Sequence, residues 1–148
     1  MNIFKSIINN LKVIKASHNL EKIKDDFIAK QIQIYQLPKE LKLFLENKTD
    51  FDFIGIYSKG YDCIYFAKNG NNLHIEYEAT EEFQIPYYEK MKQFAFENNF
   101  KIEEEINKNV PYLKINTNTS LDETFRLARE IQHNIFGNSD DTKYDIVP

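Results

Sequence analysis

The apolar positions of this chain first repeat at helical spacing, then at every second residue, then alternate between the two. Ile3, Phe4, Ile7, Ile8, Leu11 and Ile14 share one side of a helix, and Leu20, Ile23, Phe27 and Ile28 continue the pattern to about Tyr35. That predicts one long helix, or two broken near Ser17. Pro38 suits the first turn of a further short helix, because its missing N–H has no intrahelical partner there, and Leu41, Phe44 and Leu45 supply its apolar side as far as about Asn47. From Phe51 the period becomes two. Phe53 to Ser58, Tyr61 to Lys68 and Leu73 to Ala79 read as strands, the first two separated by a tight turn at Lys59 and Gly60, the last two by Asn69, Gly70, Asn71 and Asn72.

After Pro86, Tyr87, Met91, Phe94 and Ala95 return to helical spacing, and Asn98 with Asn99 can take the left-handed conformation that ends a helix. Phe100 to Ile106 and Val110 to Thr117 read as two more strands. Ser120 followed by Glu123 predicts a capping box, in which the Ser hydroxyl accepts from the Glu123 amide and the Glu side chain reaches back to the Ser120 amide. The last helix presents Leu121, Phe125, Ala128, Ile131 and Ile135, with Gly137 placed to terminate it. Residues 138–148 read as a flexible tail unless Tyr144, Ile146 and Val147 dock. The order is α-(α)-βββ-α-ββ-α: one α+β domain over 1–148, with a helical lead (1–48) and a βββαββα core (50–137). An antiparallel sheet of about five strands is expected, with the helices packed mainly on one face.

Composition narrows the functional classes. Of 148 residues 42% are hydrophobic and 28% charged, and no apolar run approaches the roughly 20 residues of a membrane span. The lone Cys63 makes no internal disulfide, and the opening MNIFKSIINNLK has neither a continuous apolar stretch nor a small-residue cleavage site, so a cytoplasmic location is expected. The net charge of −4 hides an asymmetry: residues 1–48 carry nine Lys against five acids, whereas the remainder is strongly acidic. Most of the chain would repel phosphates, and its basic part has no Arg and no aromatic-basic stacking pattern, which argues against nucleic acid.

The element order, carried by YDCIYFAKNGNNLHIEYEAT, FAFENNFKIEEE and LAREIQHNIFG, resembles the type III secretion chaperone-like fold, in particular the TY-Chap group of Tir chaperones and YbjN proteins. The resemblance covers about residues 40 to 148, and Phe100 stands where relatives often have Trp. It implies a non-enzymatic protein-binding module, frequently dimeric, with no catalytic residue or cofactor to carry over. A second phrase, LPKELKLFLENKTDFD, is similar to the opening of SMI1/KNR4-type domains, many of which are immunity proteins that neutralise toxins. That implies the alternative of an inhibitor whose acidic surface meets a basic toxin domain.

Candidate chemistry is sparse. His18 with Glu21, and Glu130 with His133, stand at i, i+3, but a di-iron bundle needs two Glu-x-x-His motifs and two further Glu, so surface pairing is expected and no metal. Cys63 shares a strand side with Tyr61 and Tyr65 and, across the hairpin, with His74, Glu76 and Glu78; carboxylates beside a thiol work against a thiolate, so an inert Cys is expected. Glu104 falls in register with Phe100, Ile102 and Ile106, where Lys114 is the expected partner, at an edge or partly wet position. No phosphate loop, nucleophile elbow or paired Cys motif occurs.

Binding chemistry is the remaining possibility, with twelve Phe and nine Tyr in so small a chain. With Ile64, Phe66, Leu73, Ile75 and Tyr77 toward the helices, Tyr61, Tyr65, His74, Glu76 and Glu78 face the other way, and flat aromatics beside acids suit a basic or amphipathic protein segment or a second copy of the chain. The competing expectation is that the N-terminal helix covers this face, its Lys residues meeting Glu76 and Glu78.

Overall fold

The computed structural model describes residues 30–46 and 52–147. In chain order these form β1 (Gln31–Ile32), α1 (Leu37–Leu45), β2 (Phe53–Tyr57), β3 (Ile64–Asn69) and β4 (Asn72–Glu78). There follow α2 (Ile85–Glu97), β5 (Lys101–Asn107), β6 (Val110–Thr119), α3 (Leu121–Asn134) and β7 (Tyr144–Val147). Single 3-10 turns at Ile34–Gln36 and Glu82–Gln84 lead into α1 and α2, and both of those helices carry Pro in their first turn. The expected helical lead over 1–29 lies outside the described residues. Its expected continuation to Tyr35 is replaced by β1 and a 3-10 turn.

The strands make one antiparallel sheet in the order β1-β7-β2-β3-β4-β6-β5. The mixed helix and strand architecture is as expected, but the sheet has seven strands, not about five, and the element order gains a strand at each end. Both added strands are short, and each pairs only with residues far away in sequence. β7 is the larger correction: the segment read as a flexible tail lies between β1 and β2, with Tyr144, Ile146 and Val147 buried.

The two remaining hairpins follow local chemistry. Asn69 pairs with Asn72 across a Gly70–Asn71 turn in which Gly70 has φ +63°, and Asn107 pairs with Val110 across Lys108 and Asn109, both at positive φ as such a two-residue loop demands. The β2–β3 connection is longer than the expected Lys59–Gly60 turn. The buried Asp62 carboxylate accepts from the Ser58 amide and hydroxyl, the Lys59 amide and Asn138 Nδ2, and its carbonyl accepts from Gln132. These bonds fix residues 58–62 as a loop against the end of α3, so β3 begins at Ile64.

Register assigns every strand side chain to a face. Ile54, Ile56, Ile64, Phe66, Ile75, Tyr77, Leu113 and Ile115 stand in cross-strand line on one face, all 5% exposed or less. The contacts that seat the described helices are made here. Lys68 Nζ lies 4.6 Å from the centroid of the Phe44 ring of α1, Tyr88 of α2 donates to Glu104, and Phe136, just past α3, meets the Tyr77 ring at 5.7 Å. Burying each such aliphatic or aromatic side chain contributes about 1.5–3 kcal/mol, which makes this face the core.

Ser120 caps α3 as expected, its hydroxyl accepting from Glu123 N at 3.4 Å. The reciprocal half of the expected box is not what holds Glu123: its carboxylate is bound by Arg126 one turn on. The helix ends at Asn134, and Gly137, at φ +74°, lets Asn138 N return to the Gln132 carbonyl.

Candidate functional site

The second face of the sheet receives none of those helix contacts, and its side chains divide into two regions. Over β2, β3 and β7 lie Phe53, Gly55, Tyr57, Tyr65 and Val147. The Tyr65 ring covers Gly55, where an added Cβ would stand 2.9 Å from Tyr65 Cδ1 and 2.6 Å from Val147 Cγ2, and Phe53 meets Tyr65 edge-on at 5.6 Å. A glycine in the middle of an inner strand is required by this close approach. Cys63, Tyr65 and Val147 are at most 4% exposed.

Over β4, β6 and β5 the same face is acidic. Glu76 pairs with Lys114, which pairs with Glu103; Glu78 pairs with Tyr112, which pairs with Glu105. These residues and Asn107 line a groove of about 360 Å³. Burial pushes the Glu76 carboxyl above its ordinary range, against the pull of its hydrogen bond to the Tyr112 phenol and of the Lys114 charge, while Glu105 adds to the rise. Tyr112 is driven up by burial and by the carboxylates of Glu76, Glu78 and Glu105. Lys114 Nζ stands 3.6 Å from Glu103. Four carboxylates around one Lys leave the groove with an unneutralised negative field.

Tyr65, His74, Glu76 and Glu78 therefore share a face as expected, and Tyr61 does not. The loop tied by Asp62 carries Tyr61 to the helix side, where it stacks on Tyr87 with centroids 5.0 Å apart and meets Phe83 and Phe136. His74 acts structurally, its Nδ1 accepting from Asn118 N at 3.2 Å, beside the irregularity in the β4–β6 register where Asn118 takes φ +48°. Burial and Lys114 lower its pKa, and Glu103 opposes them. It pairs with Ala67, four residues beyond Cys63, so thiol and imidazole are roughly 13 Å apart along the strands. Burial raises the Cys63 thiol, Tyr65 draws it back, and Asp62 and Glu78 add to the rise.

Glu104 sits on the helix face at the β5 edge, held by Lys92 at 3.0 Å and by the Tyr88 hydroxyl at 3.1 Å. The expected Lys114 contact goes instead to Glu103, because Lys114 lies on the opposite face. Glu130 pairs with Arg126, and His133 with Asp140; His18 and Glu21 are outside the described residues. Among the described residues no cluster of three or more His, Cys, Asp or Glu is placed to hold a metal ion, and no helix is long and apolar enough to cross a membrane.

The sequence reading missed Tyr112, Lys114, Glu103 and Glu105 as neighbours of Glu76 and Glu78. Their strand alternation was visible; the β4–β6 pairing that joins them was not. Comparisons of this chain with protein-family models, with curated proteins and with solved structures find no match.

Proposed function

We propose that this chain is a non-enzymatic protein-binding module, of the kind that secretion-chaperone-like and YbjN-like proteins represent, and that its second sheet face takes a basic amphipathic segment. The observation that carries the reading is the juxtaposition on that face of the Phe53, Tyr65 and Val147 region with the groove of Glu76, Glu78, Glu103 and Glu105. Aromatic surface supplies binding energy, and a row of acids selects a cationic flank and rejects an anionic one. The immunity-type alternative uses the same acids toward a basic toxin domain. It differs in needing the groove alone, without the apolar region.

A helix-forming Leu/Lys amphipathic peptide, labelled for fluorescence anisotropy, tests this against its Leu/Glu counterpart. The reading expects binding of the Lys peptide only, weakened by Glu103→Lys/Glu105→Lys and by salt. Equal binding of both peptides, or no effect of the Lys substitutions, would overturn it. Loss of binding on Phe53→Ala favours the module, and retention favours the inhibitor.

A further inference from the structure

We propose that the resting occupant of the second face is the chain's own N-terminal segment, residues 3–15, which a partner must displace; this rests on the reading of that face as a binding surface. The first support is position. The carbonyl of Lys30 accepts from Ile146 N at 3.4 Å and its Nζ pairs with Glu40 at 2.8 Å, so the segment joins the sheet at the β1–β7 edge, beside Val147 of the apolar region. Thirteen residues in helical form span about 20 Å, against about 29 Å for the six inter-strand steps of the sheet. The stretch from residue 16 to 29 is ample to bring them onto it.

The second support is the pattern of the segment. At about 100° per residue, Ile3, Phe4, Ile7, Ile8, Leu11 and Ile14 form one stripe, and Lys5, Lys12 and Lys15 all fall along one border of it. The opposite border holds the neutral Ser6, Asn10 and Ser17. An apolar stripe with a cationic flank on one side only is the complement of a face whose apolar region has an acidic groove on one side only. The third support is burial: Cys63, Tyr65 and Val147 are at most 4% exposed on a face where no described helix is seated. A ring lying flat on a bare sheet would be wet.

Cys63 is the only thiol of the chain and reports the cover directly. The experiment measures its rate of alkylation by N-ethylmaleimide in the full chain, by mass spectrometry, with near-ultraviolet circular dichroism as the check on folding. Ile7→Glu/Leu11→Glu is expected to speed alkylation by about tenfold or more with the dichroism retained, since local opening replaces a packed cover. The same variant should bind the Leu/Lys peptide more tightly, because the internal competitor is gone. An unchanged alkylation rate overturns the inference and leaves the peptide test of the preceding section standing.

Should that variant lose its dichroism, Lys12→Glu/Lys15→Glu is expected to speed alkylation too, and adding Glu103→Lys/Glu105→Lys to restore protection. Absence of restoration overturns the pairing proposed. Protection that weakens on dilution, with light scattering showing a dimer, assigns the cover to a second copy and also overturns it.

Discussion

Gly55→Ala is a sharp test of how β2, β3 and β7 fit together. Gly55 pairs with Tyr65 on one side and with Val147 on the other, and a Cβ built there stands 2.9 Å from Tyr65 Cδ1 and 2.6 Å from Val147 Cγ2. The second contact is roughly 0.9 Å inside the usual carbon–carbon approach of about 3.5 Å. Because the two obstacles flank opposite sides, a strand shift that relieves one tightens the other. Side-chain rotation must absorb the methyl, at about 1–3 kcal/mol for an overpacked site. Removing glycine from a strand interior returns about 0.5–1 kcal/mol, so the net lies between about 0 and 2.5 kcal/mol, and the 2.6 Å approach to Val147 Cγ2 places it in the upper half as a destabilisation.

Urea unfolding followed by far-ultraviolet circular dichroism measures this as a lower midpoint with unchanged slope. Val147→Ala alone removes about two methyl groups' worth of burial and costs about 2 kcal/mol. In the double variant the new methyl enters the space Val147 vacates, so the pair should be less destabilised than the sum of singles by about 0.5–2 kcal/mol. Additive singles, or a Gly55→Ala protein as stable as the parent, would refute the docking of β7 against β2 in this register.

Asp62→Ala removes the acceptor of the part-buried Ser58 and Lys59 amides and of the buried Asn138 side chain and should cost about 1–3 kcal/mol; an unchanged thermal midpoint would remove the loop argument. Ser120→Ala should cost about 0.5 kcal/mol, the low end for a lost cap, since the Ser120 to Glu123 bond is long at 3.4 Å. Burial raises the Glu76 pKa in the folded state, so the fold holds that proton more tightly than the unfolded chain and ionised Glu76 opposes folding. Glu76→Gln should therefore be more stable than the parent at neutral pH. That advantage should shrink as pH falls through the raised folded pKa and vanish below the unfolded one; a difference constant from pH 7 to pH 3 refutes it.

What the sequence revealed and what it hid follow from the range of the interactions involved. The strict alternation of Leu73 to Ala79 assigned β4 its two faces, and Asn-Gly fixed the hairpin that sets His74, Glu76 and Glu78 on the side of Tyr65. Those are local signals. Tyr61 was misplaced by carrying a period of two backward from Tyr65 and Cys63, across a loop whose shape depends on Asp62 meeting Asn138, 76 positions away. The four residues of β7 are too few to show a period, and they become a strand only because β1 and β2 flank them. Strand alternation separates Glu103 and Glu105 from Glu104 along β5, yet nothing local says that β6 will pair with β4 and bring them beside Glu76.

The glutamate run of β5 bears on association as well as on the recognition proposed for the groove. Open sheet edges invite pairing between copies, and among the described strands the two edges are the two-residue β1 and the seven-residue β5. Two copies of β5 pairing antiparallel about Glu104 would set Glu104 opposite Glu104 and Glu103 opposite Glu105, and like charges directly opposite are destabilising. That register is thus disfavoured between two copies, while the edge remains compatible with a cationic strand or segment, a common defence of exposed edges. Because alternation sends Glu103 and Glu105 to the second face and Glu104 to the helix face, the run guards the edge and charges the groove at once.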